Sequence, residues 1–153
     1  LAPGYDEGLL QQLAIGAKAA TDKRSMRTLF MQGSTMRHVD YLRAEAARQE
    51  ERARWADFFT GYDVFLCPMV MTAAFAHDHS PDMQARRLTV NGAQRGYLEA
   101  IGWAGLIGNV RLPSTVVPVG RTQAGLPIGM QVVGPYLEDR TCIDVARHLA
   151  KLM

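Results

Sequence analysis

The sequence predicts an α/β fold, with one continuous part of an α/β sandwich rather than two domains. Three observations lead there. Long stretches carry apolar residues at helical spacing, and they are interrupted by short β-branched runs. Two of those runs, Ser114 to Gly120 and Ile128 to Gly134, flank a connection punctuated by Gly125 and Pro127. A third, within Tyr62 to Cys67, holds the uninterrupted apolar stretch VFLC, which suggests a strand covered on both faces of a parallel or mixed sheet. No repeat or low-complexity linker divides the order α, long α, β, loop, α, β, β, α.

Taken in order, Asp6 to Ala20 reads as a helix, with Leu9, Leu10, Leu13 and Ala17 on one face and Asp6 placed to cap it. Residues 21–34 are less regular, with an apolar cluster of Met26, Leu29, Phe30 and Met31. A long helix follows from Thr35 or His38 to Thr60, dense in Ala, Arg and Glu. Leu42, Ala46, Ala53, Ala56 and Phe59 form its apolar stripe, and Gly61 is expected to stop it as a left-handed cap. Pro68 ends the strand after it, and Met69 to Arg87 form a loop with little periodicity.

Val90-Asn91-Gly92 marks a turn, and the reading continues with a helix from Gln94 to Leu106. Its glycines call for tight packing against a sheet. In the second β-rich run Ile128, Met130 and Val132 share one face, with Gly129, Gln131 and Val133 on the other. Gly129 and Gly134 imply close approach by a backbone, a bulge or a ligand. The last helix opens on Glu138-Asp139, at the positive end of its dipole, and Cys142, Val145 or Ala146, Leu149 and Leu152 are spaced to pack it down.

Bulk properties exclude several classes. With 153 residues, 48% hydrophobic and 21% charged, the chain can bury one core. A net charge of +2 makes no case for nucleic acid, and the arginines of the long helix are interleaved with glutamates as on a solvated face. No apolar run approaches the roughly 20 residues that span a bilayer, so no membrane association is expected. No basic-then-apolar leader follows Leu1; a chain opening there is expected to be processed or cut from something longer. Cys67 and Cys142 have no zinc or redox spacing, and two buried thiols in a cytoplasmic protein is the expected state. His77-Asp78-His79 lacks the spacing and further ligands of a metal site, so it is read as a polar loop.

Certain strings go further than pattern. LPSTVVPVG, GLPIGMQVVGP, RWADFFTGYDVFLCPMV and VNG with YLEAIGWAGL together cover nearly all of the chain from about Arg37 onward. They resemble the C-terminal end of the amidase signature family, serine hydrolases that cleave amide carbon–nitrogen bonds. The resemblance implies the C-terminal part of an α/β/α sandwich with a mixed sheet, incomplete in this chain, and residues 1–153 as a segment of a single domain. It also implies a serine nucleophile, a second serine in a cis peptide and a lysine, with backbone N–H groups holding the oxyanion and no cofactor or metal.

The family carries those catalytic groups in a Gly/Ser-rich segment upstream of the matched region. Here the four serines, Ser25, Ser34, Ser80 and Ser114, are never adjacent, and Lys18, Lys23 and Lys151 fall in no lysine motif of the family. A G-x-S-x-G elbow is absent as well. No catalytic residue is therefore assigned in this segment. What the resemblance leaves to it is scaffold and pocket wall: Met69 and Met71 after the YDVFLCP strand, and Trp103 in the WAGL segment. Relatives often carry threonine at the position of Met69, which implies an apolar pocket. Asn109 lies one residue from the position where relatives place an asparagine, and receives no role. The expected partners are a small-molecule amide substrate, the upstream remainder of the domain and a second copy in a homodimer. Two other readings stay open: the amidase component of a tRNA-dependent amidotransferase, and a non-catalytic module derived from the same fold.

Overall fold

A computed structural model describes residues 4–152. The chain forms two compact units, residues 1–47 and 48–153, with the division falling inside its longest helix.

In the first unit, helix α1 (Glu7–Ala19) starts where Asp6 accepts the Leu9 N–H at 2.7 Å, as an N-cap should. Lys23 Nζ closes its other end by donating to the carbonyls of Ala17 and Lys18. The apolar cluster of residues 26–31 is a helix, α2 (Met26–Thr35), where sequence suggested irregular chain. The cap decides it: Ser25 Oγ accepts the Thr28 N–H, and Thr28 and Met31 are buried. α1 and α2 pack together, and Gly16 makes room for the Met31 sulfur, which lies 2.8 Å from where a Cβ would stand.

Helix α3 (His38–Phe58) crosses the division and buries none of its residues; Leu42, placed in the apolar stripe, is exposed. Its order rests on good helix formers and surface pairs, Arg37 and Arg43 with Asp40 and Arg54 with Glu51, each a small contribution. The guanidinium of Arg37 holds the Asp40 carboxyl below the usual carboxylate range. Gly61 is not left-handed, contrary to expectation; the helix ends by tightening, with Thr60 and Gly61 N–H groups bonding three residues back.

The second unit is built on an antiparallel sheet in the order β1-β5-β4, from β1 (Phe65–Pro68), β4 (Ser114–Arg121) and β5 (Pro127–Val133). β5 is central, and Val132 and Val133, both 0% exposed, point to opposite faces. Val132 joins Val117 and Ala146 under helix α5 (Asp139–Ala150), with Val64, Val119, Val145 and Leu149 around them. Val133 joins Cys67, Ile107, Val110 and Leu112, closed over by Trp55, Phe59 and Phe65. Full burial of each such side chain is worth about 1.5–3 kcal/mol. β1 differs from the expected doubly covered strand: among the described residues only β5 pairs with it, so it lies at the sheet edge, and Leu66 on one of its faces is exposed. Leu152, expected to pack α5 down, is also exposed beyond the helix end.

A second hairpin lies where sequence suggested the start of a helix. β2 (Arg87–Val90) and β3 (Ala93–Gly96) pair across Asn91-Gly92, whose φ values of 50° and 79° suit a two-residue turn that needs left-handed backbone twice. The chain then makes a tight 3-10 turn, Tyr97–Ile101, before helix α4 (Gly102–Asn109). The glycines of α4 do not answer to close packing; nothing lies within 4 Å of where a Cβ would be on Gly102, Gly105 or Gly108. α4 ends in a Schellman motif: Arg111 stands at φ 58°, its N–H bonds Gly108 O, and the Leu112 N–H bonds Ile107 O. That reversal delivers the chain into β4.

Gly134, just past β5, shows what close approach means here. A Cβ on it would stand 2.7 Å from Cys142 Sγ and 3.5 Å from Glu138 O, so α5 sits directly on the strand end. Gly134→Ala is expected to lower stability by about 1–3 kcal/mol through overpacking. Cys142→Ala in the same chain should recover part of that loss, read as urea midpoints. Simple additivity of the two changes would rule out the sulfur contact as the cause.

Candidate functional site: an apolar groove beside the central strand

The site grows out of the ladder register. Pro68, the last residue of β1, pairs with Met130, and the chain then leaves the sheet as the 69–74 segment. Across β5, Val116 pairs with Gln131 and Pro118 with Gly129, after which the register slips between Pro118 and Gly120. This bulge leaves Val119 as the extra residue and bends β4. Gly129 adds no side chain at the bend, and the position its Cβ would take is 3.0 Å from Val116 Cγ1. The close neighbour of Gly129 is thus a side chain rather than a backbone, and its φ is not left-handed. The far turn is tied by Thr122, whose N–H bonds Leu126 O while its Oγ1 accepts the Leu126 N–H, with Gly125 at φ 80°.

Between the 68–74 segment and the hairpin lies a half-open groove of about 360 Å³. Met69 and Met71 line it together with Pro68, Val116, Ile128 and Gly129. None of its twelve lining residues is ionisable. Trp103 is not among them; it sits on α4, 36% exposed. Sequence reasoning missed Val116, Thr122, Pro127 and Ile128 as lining. The alternation that put Gly129 and Gln131 on one face of β5 was the available signal, but it needed the cross-strand register to bring in Val116.

On the same face, Gln131 is buried, 2% exposed, between Cys67 and Val116 in register. Its Nε2 donates to Cys67 Sγ at 3.7 Å. Burial pushes the Cys67 thiol up, so it stays protonated at neutral pH and is no nucleophile. The serines do local work: Ser25 caps α2, and Ser80 donates to Asp78 Oδ1 at 2.5 Å. That bond is the main cause holding the Asp78 carboxyl low, followed by the Ser80 N–H. His77 and His79 stack at 5.7 Å on either side of this turn, and no cluster of three potential metal ligands exists among the described residues. The groove offers a neutral surface, with no ionisable side chain in its lining.

The family model for amidases matches residues 13–143. The chain belongs to the amidase signature family. Its curated relatives include a fatty acid amide hydrolase of Medicago truncatula, 30% identical over 138 residues, which cover 90% of this chain and 21% of that protein. Another is one of the subunits of the glutamyl-tRNA(Gln) amidotransferase of Brucella ovis, 28% identical over 137 residues, 89% of this chain and 26% of the relative. Among solved structures, an amidase superposes with a TM-score of 0.64 at 22% identity, over 94% of this chain and 31% of that one. The chain thus spans about a fifth to a quarter of the curated relatives it matches. The amidase relatives support cleavage of amide carbon–nitrogen bonds at the level of the family.

The two buried thiols make stability depend on pH in one direction. Both are raised by burial, Cys142 also by the charge of Asp139. Their contribution is fully present below the ordinary thiol value and is lost as pH rises above it, because the unfolded thiols ionise first. The urea midpoint is therefore expected to fall between neutral pH and about pH 10. Cys67→Ala should fall less steeply than the parent; an unchanged slope would show that Cys67 does not contribute.

Proposed function

We propose that this chain supplies scaffold and one apolar wall of a site that hydrolyses an amide bond. The nucleophile and base come from sequence outside these residues, upstream of them, as a serine, a cis serine and a lysine. The observation that carries the reading is a mismatch of extent. An amidase match runs from residue 13 to 143, yet no two of the serines within it are adjacent, and Ser25, Ser80 and Lys23 are engaged in caps and turns. Residues 1–153 then form one segment of a single amidase domain and are inactive alone. The small-molecule amide enters against Met69 and Met71, and a second copy can join as a homodimer. Free buried thiols suit a reducing, cytoplasmic setting, and among the described residues no helix is long and apolar enough to cross a membrane. The likeness to a component of a glutamyl-tRNA(Gln) amidotransferase supports a second reading, in which the site works within a larger assembly; stable binding of companion chains would favour it.

Residues 1–153 purified alone are expected to hydrolyse no simple amide or ester above buffer. Joined to a segment carrying adjacent serines and the lysine, they should turn amides over, and a serine-to-alanine change in that segment should abolish it. Turnover by the 153 residues that one change among Ser25, Ser34, Ser80 and Ser114 removes would overturn the assignment.

A further inference from the structure

We infer that the groove between the 68–74 segment and the β4–β5 hairpin selects a neutral, apolar group on the substrate and rejects a charged one. This rests on the amide-hydrolase reading and adds the class of amide. The lining is Met, Val, Ile, Ala, Pro and Gly with two threonines, Thr72 and Thr122. Thr122 Oγ1 already accepts a turn N–H. Arg121, the ionisable residue next to Thr122 in sequence, donates its Nη1 to Gly125 O. The buried amide of Gln131, on the same face of β5, is neutral and donates to a thiol that burial keeps protonated.

A carboxylate or ammonium drawn against this lining would lose water and meet no counter-charge among its twelve residues, which is costly; a hydrocarbon would lose nothing and gain contact. Two methionines on one wall add flexible, polarisable surface that fits alkyl and aryl shapes alike. A volume of about 360 Å³ suits a group of modest size, near the lower end of small-molecule sites.

The test uses the whole protein that carries this sequence, labelled with ¹³C at the methionine methyls. Met69 and Met71 report on the groove, while Met26, Met31, Met36 and Met83 serve as internal references outside it. The probes are N-butylhexanamide and the same amide ending in a carboxylate. Saturable shifts confined to Met69 and Met71 are expected, with the charged probe weaker by about tenfold or more. Val116→Asp, on a half-exposed position, should weaken the neutral probe to a similar degree; the comparison of probes on the parent needs no substitution at all. Equal binding of the two probes, shifts spread over every methionine, or no shift at Met69 and Met71 would overturn the inference. Hydrolysis readouts separate the two readings. Equal kcat/KM on neutral and charged amides would overturn this inference and leave amide hydrolysis standing. Selective apolar binding with no amide turned over would leave the groove's ligand class standing and overturn the hydrolase reading.

Discussion

The three-stranded sheet of the second unit depends on the end of β5, Gln131 to Val133, having both ladder edges paired while both of its faces are buried. A strand in that position satisfies its backbone through β1 and β4, so its side chains are free to be wholly apolar on either side. Val132 feeds the core under α5, and Val133 feeds the core under Trp55, Phe59 and Phe65. The polar exception, Gln131, is tolerated because its amide finds the Cys67 sulfur, a weak partner for a group whose isolation costs about 1–3 kcal/mol.

Two glycines on or just past the same strand do different work. At Gly134 the missing side chain lets α5 settle until Cys142 touches the strand end. At Gly129 it leaves space beside Val116, next to the bulge that bends β4, and the groove opens there. A strand that carried Cβ atoms at both positions would press on the helix at one and on Val116 beside the groove at the other.

In the proposed reading the groove is one part of a site. Acyl transfer needs a nucleophile, a base and donors aimed at the developing oxyanion. The groove provides shape and an uncharged surface, and the nearby thiol is kept inert by the burial that keeps the core dry. This fits a chain that matches amidases along most of its own length and only a fraction of theirs. In the proposed reading, this wall selects which substrate is held and the bond-breaking groups come from outside these residues.

Much of this was legible in the residues. Asp6 announced α1, the β-branched runs announced β4 and β5, and the alternation in IGMQVV placed Val132 and Val133 on opposite faces, because these signals are local and depend on periodicity alone. The strings around Pro68 and Pro127 were enough to indicate the family. Other features were decided by tertiary structure. The Asn91-Gly92 hairpin is a local signal too, yet a helix-like run after it competes, and pairing of Arg87–Val90 with Ala93–Gly96 wins. Leu66 and Leu42 carry apolar side chains that sequence assigns to a core, but burial is a property of neighbours, and neither has enough of them here. Trp103 was grouped with the methionines by resemblance, and only the position of α4 separates it from the groove. Val116 joined the site for a reason no single strand contains: the antiparallel register that sets it across from Gln131, beside a glycine.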